Sequence, residues 1–121
     1  MKTILFSITA ILSFAFTTTV DLMGRWESKP SETGIVTAAI FKNNNTYEAH
    51  KNNEAFVSGT FSFRPEDSII TIQDDGCMSV TGTYKVNFFS NGDSIQFTAI
   101  NDYCSERKTA IERTVLGKVK Q

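Results

Sequence analysis

Val80-Thr81-Gly82-Thr83-Tyr84-Lys85-Val86-Asn87-Phe88 and Ser94-Ile95-Gln96-Phe97-Thr98-Ala99, joined through Ser90-Asn91-Gly92-Asp93, form the stretch that decides the fold. Apolar and polar residues alternate along both arms, so each arm has one apolar and one polar face. That is the pattern of a strand with one face against a core and one against water. The joining residues contain Asn-Gly, which supplies the positive φ that a tight hairpin turn requires. The stretch therefore predicts two antiparallel strands paired about Asn91-Gly92.

The same period runs outward along the chain. Val57, Gly59, Phe61 and Phe63 alternate with Ser58, Thr60 and Ser62. Turn chemistry punctuates the remainder at Pro30 to Gly34, Asn43-Asn44-Asn45, Lys51 to Asn53, Pro65-Glu66-Asp67 and Asp74-Asp75-Gly76. Between these marks lie eight predicted strands, at 22–29, 34–42, 45–51, 54–64, 67–74, 79–89, 93–101 and 107–116. No helical periodicity stands out among them. The joins are too short for parallel crossovers, so successive strands must be antiparallel. The expected fold is all-β: an eight-stranded antiparallel up-and-down (meander) barrel, whose closure removes the exposed edges of an open sheet. A two-sheet sandwich is the alternative, but the long connections it usually needs are missing.

This topology places the two cysteines. The connections after the fifth and seventh strands lie at one barrel end, and Cys77 and Cys104 fall in them. Pairing about Asn91-Gly92 sets Cys77 opposite Glu106 and Cys104 opposite Ser79, a short slip from each other. A Cys77–Cys104 disulfide is expected, with two free thiols as the alternative. Closing this loop should contribute about 3–4 kcal/mol on the chain-entropy account.

The N-terminus points to export. Lys2 precedes Ile4 to Phe16, which carries no charge and is shorter than the ~20 apolar residues of a membrane span. Residues 1–15 read as a signal peptide, with small residues Ser13 and Ala15 favouring cleavage after Ala15 and Thr17 to Thr19 as fallback sites. Residues 16–121 are then a single domain. No cysteine lies near the cleavage region, so a lipid anchor is not expected and the product should be secreted or periplasmic. An oxidising compartment suits the disulfide.

Composition excludes several function classes. The formal net charge is −1 and the basic residues are dispersed, so a nucleic-acid partner has no electrostatic footprint. Neither does an anionic membrane surface, and no membrane span follows the leader. Ten Phe in 121 residues instead indicate a sizeable core.

Leu22-Met23-Gly24-Arg25-Trp26 brings Gly-x-Trp to the start of the first strand. This resembles the lipocalin and wider calycin group, in which the motif opens the barrel and the Trp plugs its closed end. The likeness is greatest to compact lipocalin-like domains of bacterial exported proteins. The resemblance implies a basic residue late in the last strand, lying over the indole. Arg113 is the matching residue here and Lys118 the weaker match. It also implies a binding barrel rather than an enzyme.

The residues give catalysis no foothold. His50, the single histidine, alternates to the outer face beside Glu48, and a base beside a Ser or Cys is what nucleophilic catalysis needs. No cofactor motif is present, and two cysteines without nearby partners make no metal site. Asp74, Asp75, Asp102 and Glu106 occupy the two loops around the disulfide, and solvated turns explain them better than a calcium site. Function is then read from shape. Phe61, Phe63, Tyr84, Phe88 and Phe97 are expected to line an apolar cup for a small hydrophobic ligand, with Gly59 and Gly82 leaving room on the inner face. The alternative is a filled barrel that binds a protein partner, as a protease inhibitor or envelope-stress module would.

Overall fold

The computed structural model of the chain describes residues 21–120. The expected leader and its cleavage region lie outside them. Eight strands run in order: β1 (Gly24–Glu27), β2 (Thr37–Phe41), β3 (Thr46–Lys51), β4 (Glu54–Arg64), β5 (Ile69–Asp74), β6 (Gly82–Phe89), β7 (Ser94–Asp102) and β8 (Val115–Lys118). They form one closed barrel in which each strand pairs with its sequence neighbour and β8 returns to β1. Every pairing is antiparallel. The meander barrel anticipated from the alternation is the observed architecture.

Turn residues set the registers. Ser90, Asn91 and Gly92 all hold positive φ, and β6 and β7 pair about them from Phe89↔Ser94 to Tyr84↔Ala99. A bulge then shifts the register to Thr83↔Asn101 and Gly82↔Asp102. Asn52 and Asn53, also at positive φ, make the two-residue link between β3 and β4, which is the arrangement a type I′ hairpin demands.

The last segment departs from the sequence reading. Ser105–Glu112 is a helix, α1, and the final strand is confined to Val115–Lys118. Residues 105–112 carry Glu, Arg, Lys and Ala, all good helix formers. The helix escapes a reading by apolar period because the residue it buries is Arg107. It also protects an edge. The β7–β8 ladder runs only from Ser94↔Gly117 to Gln96↔Val115. Beyond it, the Ala99 backbone N–H donates to the Glu112 carboxylate at 3.2 Å, and Gln96 Nε2 donates to the Glu112 carbonyl at 3.2 Å.

The two barrel ends differ. At the end where β1 begins, Trp26 is fully buried and its indole N–H donates to the Leu22 carbonyl at 2.9 Å. Phe88 packs edge-on against it, and Phe63 against Phe88. Gly24 holds φ +105 with open space where a Cβ would sit, so the motif's glycine serves the backbone rather than packing. Lys118 Nζ lies 5.6 Å from the Trp26 ring. Arg113 does not do so: it caps the C-terminus of α1 and is exposed. The helix consumes the residues that would have carried Arg113 into a strand, and the basic residue over the indole is Lys118.

The opposite end carries the Cys77–Cys104 disulfide. It ties the short 3-10 turn Asp75–Cys77 to the residue preceding α1. Among the described residues no helix is long and apolar enough to cross a membrane.

Candidate functional site

A cavity of about 1310 Å3 occupies the disulfide end of the barrel. Its inner wall includes Ile70 and Ile72 of β5, Tyr84 of β6, Phe97 of β7, and Tyr47 and Ala49 of β3. Its rim takes in Ser28–Ser31 from the β1–β2 connection and, from the other side, α1 and the start of β8. Strand β1 meets β8 at only two positions, Trp26↔Lys118 and Glu27↔Gly117. Beyond Glu27 no ladder closes this side of the barrel, and the cavity reaches the surface there.

The five aromatic residues singled out from the sequence separate into two groups. Tyr84 and Phe97 line the cavity. Phe61, Phe63 and Phe88 do not: Phe61 packs edge-on against Phe41, while Phe63 and Phe88 belong to the Trp26 cluster. All five face inward, but alternation along a strand gives the face and says nothing of the depth at which packing stops. Small residues on β2 and β3, Ala38, Ala39 and Ala49, provide wall that the aromatic pattern could not indicate.

The two inner-face glycines do not supply the free volume expected of them. A Cβ on Gly59 would lie 2.1 Å from the Gln73 carbonyl oxygen, so this glycine permits close approach of β4 and β5. A Cβ on Gly82 would lie 2.7 Å from Asp102 Oδ2 and 2.8 Å from Arg107 Nη2. The space beside Gly82 is filled, and by charge.

This charge is the feature that sequence reasoning missed. Arg107 reaches inward from α1 and grips Asp102 with two hydrogen bonds, Nε to Oδ2 at 2.7 Å and Nη2 to Oδ1 at 2.8 Å. Nη2 also donates to the Val80 carbonyl at 2.8 Å, and Nη1 donates to Asp74 Oδ2 at 3.3 Å. The Tyr84 hydroxyl donates to Asp102 and the Tyr47 hydroxyl to Asp74. The Cys104 backbone N–H adds a bond to Asp102 Oδ1 at 2.9 Å. The Arg107 side chain is 6% exposed and that of Asp102 is 0%. Asp74 and Asp102 are therefore not solvated turn residues; Asp75 and Glu106 are the exposed members of that acidic group.

The cluster's protonation follows from its contacts. Burial raises the pKa of the Asp102 carboxyl, but hydrogen bonds from Arg107, Tyr84 and the Cys104 N–H outweigh it and hold the group below the usual range. Burial, then the neighbouring carboxylates, push both phenols up: Asp74 acts on Tyr47 and Asp102 on Tyr84. The Asp102 bonds raise Arg107 further against the effect of its own burial. The group thus holds two phenols, a guanidinium and a low-pKa carboxylate at neutral pH. A glycosidase acid requires a carboxyl pushed upward, and Asp102 is displaced the other way.

His50 stands apart from this site. Its Nε2 lies 3.2 Å from Glu48 Oε2, and it does not line the cavity. That contact and Lys42 hold the Glu48 carboxyl low. Among the described residues, no group of three or more His, Cys, Asp or Glu side chains is placed to hold a metal ion. Comparison with known protein families, curated proteins and solved structures finds no match to this chain.

Proposed function

We propose that the protein is an exported, lipocalin-like, non-enzymatic barrel that carries one small hydrophobic ligand. The observation that carries this reading is the cavity of about 1310 Å3 at the disulfide end. It exceeds the ~300–1,000 Å3 typical of small-molecule sites, and such sites pair an apolar wall with a few placed polar groups. Ile70, Ile72 and Phe97 give the wall here, and Arg107 with Asp74 the polar groups. Gly24-x-Trp26 at the plugged end, with Lys118 over the indole, supports the lipocalin-like assignment. The disulfide fits an oxidising compartment and so supports export.

A second reading has an observation of its own. Met78 is 91% exposed and Tyr103 is 85% exposed, and each adjoins a cysteine of the disulfide. Met78 and Ser79 both hold positive φ, a conformation that non-glycine residues rarely adopt. Two large side chains held out at the mouth would suit a protein partner.

Titration with the neutral fluorophore N-phenyl-1-naphthylamine tests the carrier reading. Saturable binding near 1:1 with a blue-shifted emission is expected. Ala49→Phe, which fills the wall from β3, should weaken it at least about tenfold while leaving the unfolding transition in place. No saturable binding to the folded protein would overturn the carrier reading and leave the protein-facing one.

A further inference from the structure

We propose that the buried end of the cavity selects ligands whose head group is a cationic hydrogen-bond donor, an alkylammonium, over ligands ending in a carboxylate. This rests on the carrier reading and specifies its ligand class. Alternation places Ile70, Ile72 and Asp74 on the inner face of β5, and all three line the cavity. Asp74 is 5% exposed, and its Oδ1 is buried without a hydrogen-bond partner. Its Oδ2 already accepts from Tyr47 and Arg107. A buried acceptor left unmet destabilises the fold, and a donor brought by a ligand removes that penalty.

The surrounding groups fix the sign of the preferred head. Asp74 and Asp102 face one guanidinium, which leaves a formal charge of −1 in a place where Arg107 and Asp102 are almost without solvent. The Tyr47 and Tyr84 hydroxyls point at the two carboxylates. Arg107 directs Nε, Nη1 and Nη2 to Asp102, Asp74 and the Val80 carbonyl. Four of the five Arg107 N–H groups and both phenol hydroxyls are thus committed to acceptors within the cluster. One Nη1 N–H and the whole of Asp74 Oδ1 are left over, and the local charge of −1 decides between them in favour of a cation. An ammonium offers several N–H groups and the opposite charge, and charge-assisted bonds of this kind are the strong ones. A carboxylate offers only further acceptors and a like charge. Of the other cations that would attract a carboxylate, Lys29, Lys51 and Arg113 lie at the exposed rim, where salt screens them, and Lys118 is half-buried over the Trp26 ring.

Displacement of N-phenyl-1-naphthylamine by dodecylammonium, dodecanol and dodecanoate, each below its micelle concentration at neutral pH, tests the proposal. The expected order of affinity is ammonium, alcohol, carboxylate, with about tenfold or more between the first and last. In Asp74→Asn, which keeps the shape and an acceptor for the Tyr47 hydroxyl, the gap between ammonium and carboxylate should close. The wild-type ranking alone decides the matter should that variant fail to fold. Dodecanoate binding as tightly as dodecylammonium would overturn the head-group inference while the carrier reading stands. Failure of the fluorophore and of all three chains to bind would overturn both.

Discussion

The two ends of this barrel are closed by opposite chemistry. At one end an indole fills the interior, satisfied by a single hydrogen bond to the Leu22 carbonyl, and the stabilisation comes from apolar area and close packing. At the other end a guanidinium holds two carboxylates, each of which also accepts from a phenol, in a nearly dry site. Its stabilisation depends on each charge keeping its partner. At the apolar end rings pack edge-on around a fully buried indole, whereas the ionic end borders a cavity. A polar network holds its shape through directed bonds and need not fill the volume beside it.

Deleting one member at each end should expose the difference most sharply. Trp26→Ala should cost about 3–5 kcal/mol as a large aromatic truncation. Arg107→Leu should cost a comparable ~3–5 kcal/mol because it strands Asp74 and Asp102 without a counter-charge. Acid should separate the two variants. The folded Asp102 carboxyl lies below its ordinary value, so the stability it contributes is present above about pH 4 and lost as pH falls through the folded value. Arg107→Leu has already lost that contribution, and its deficit should shrink below about pH 4. The Trp26→Ala deficit should not change with pH. Chemical denaturation of both variants across pH 3–7 measures this, and parallel curves would break the comparison.

A smaller effect is expected from the covalent link at the ionic end. Reduction of Cys77–Cys104 should cost about 3–4 kcal/mol on the loop-entropy account. It should also loosen the cavity end before the Trp26 end, so fluorophore affinity should fall while the indole emission stays blue-shifted. Simultaneous loss of both signals would show that the ends unfold as one unit. The smallest effect belongs to Lys118→Met, which keeps the side-chain length but removes the charge over the indole. A loss of about 0.5–1 kcal/mol is expected from the cation–π contact, read as a small drop in melting temperature.

The strands were legible because their signals are local. Asn91-Gly92 and Asn52-Asn53 fix hairpins through their own backbone preferences, and the alternation from Val57 to Phe63 names the buried face without reference to the rest of the chain. The cysteine pairing followed once strand order was known, since two connections at one end can hold few other neighbours. The ionic cluster was not legible, for a reason visible in Arg107. Burial of a charged residue carries no apolar signature, and its partners Asp74 and Asp102 stand 28 residues apart in sequence, beside turn residues that solvent would equally well explain. The helix was lost with it, because its inward position is the arginine. Where the cavity begins depends on which side chains meet across the barrel, and no single strand encodes that.

The register between β1 and β8 also fixes an orientation. Trp26 stands opposite Lys118, and the Val119 N–H donates to the Arg25 carbonyl at 2.9 Å, so the chain enters and leaves the barrel side by side at the plugged end. A fusion partner, surface tether or affinity handle joined directly before Asp21 or after Lys120 would therefore be attached behind the indole. The mouth, with its disulfide, would point away from the attachment, free to meet whatever approaches from solution.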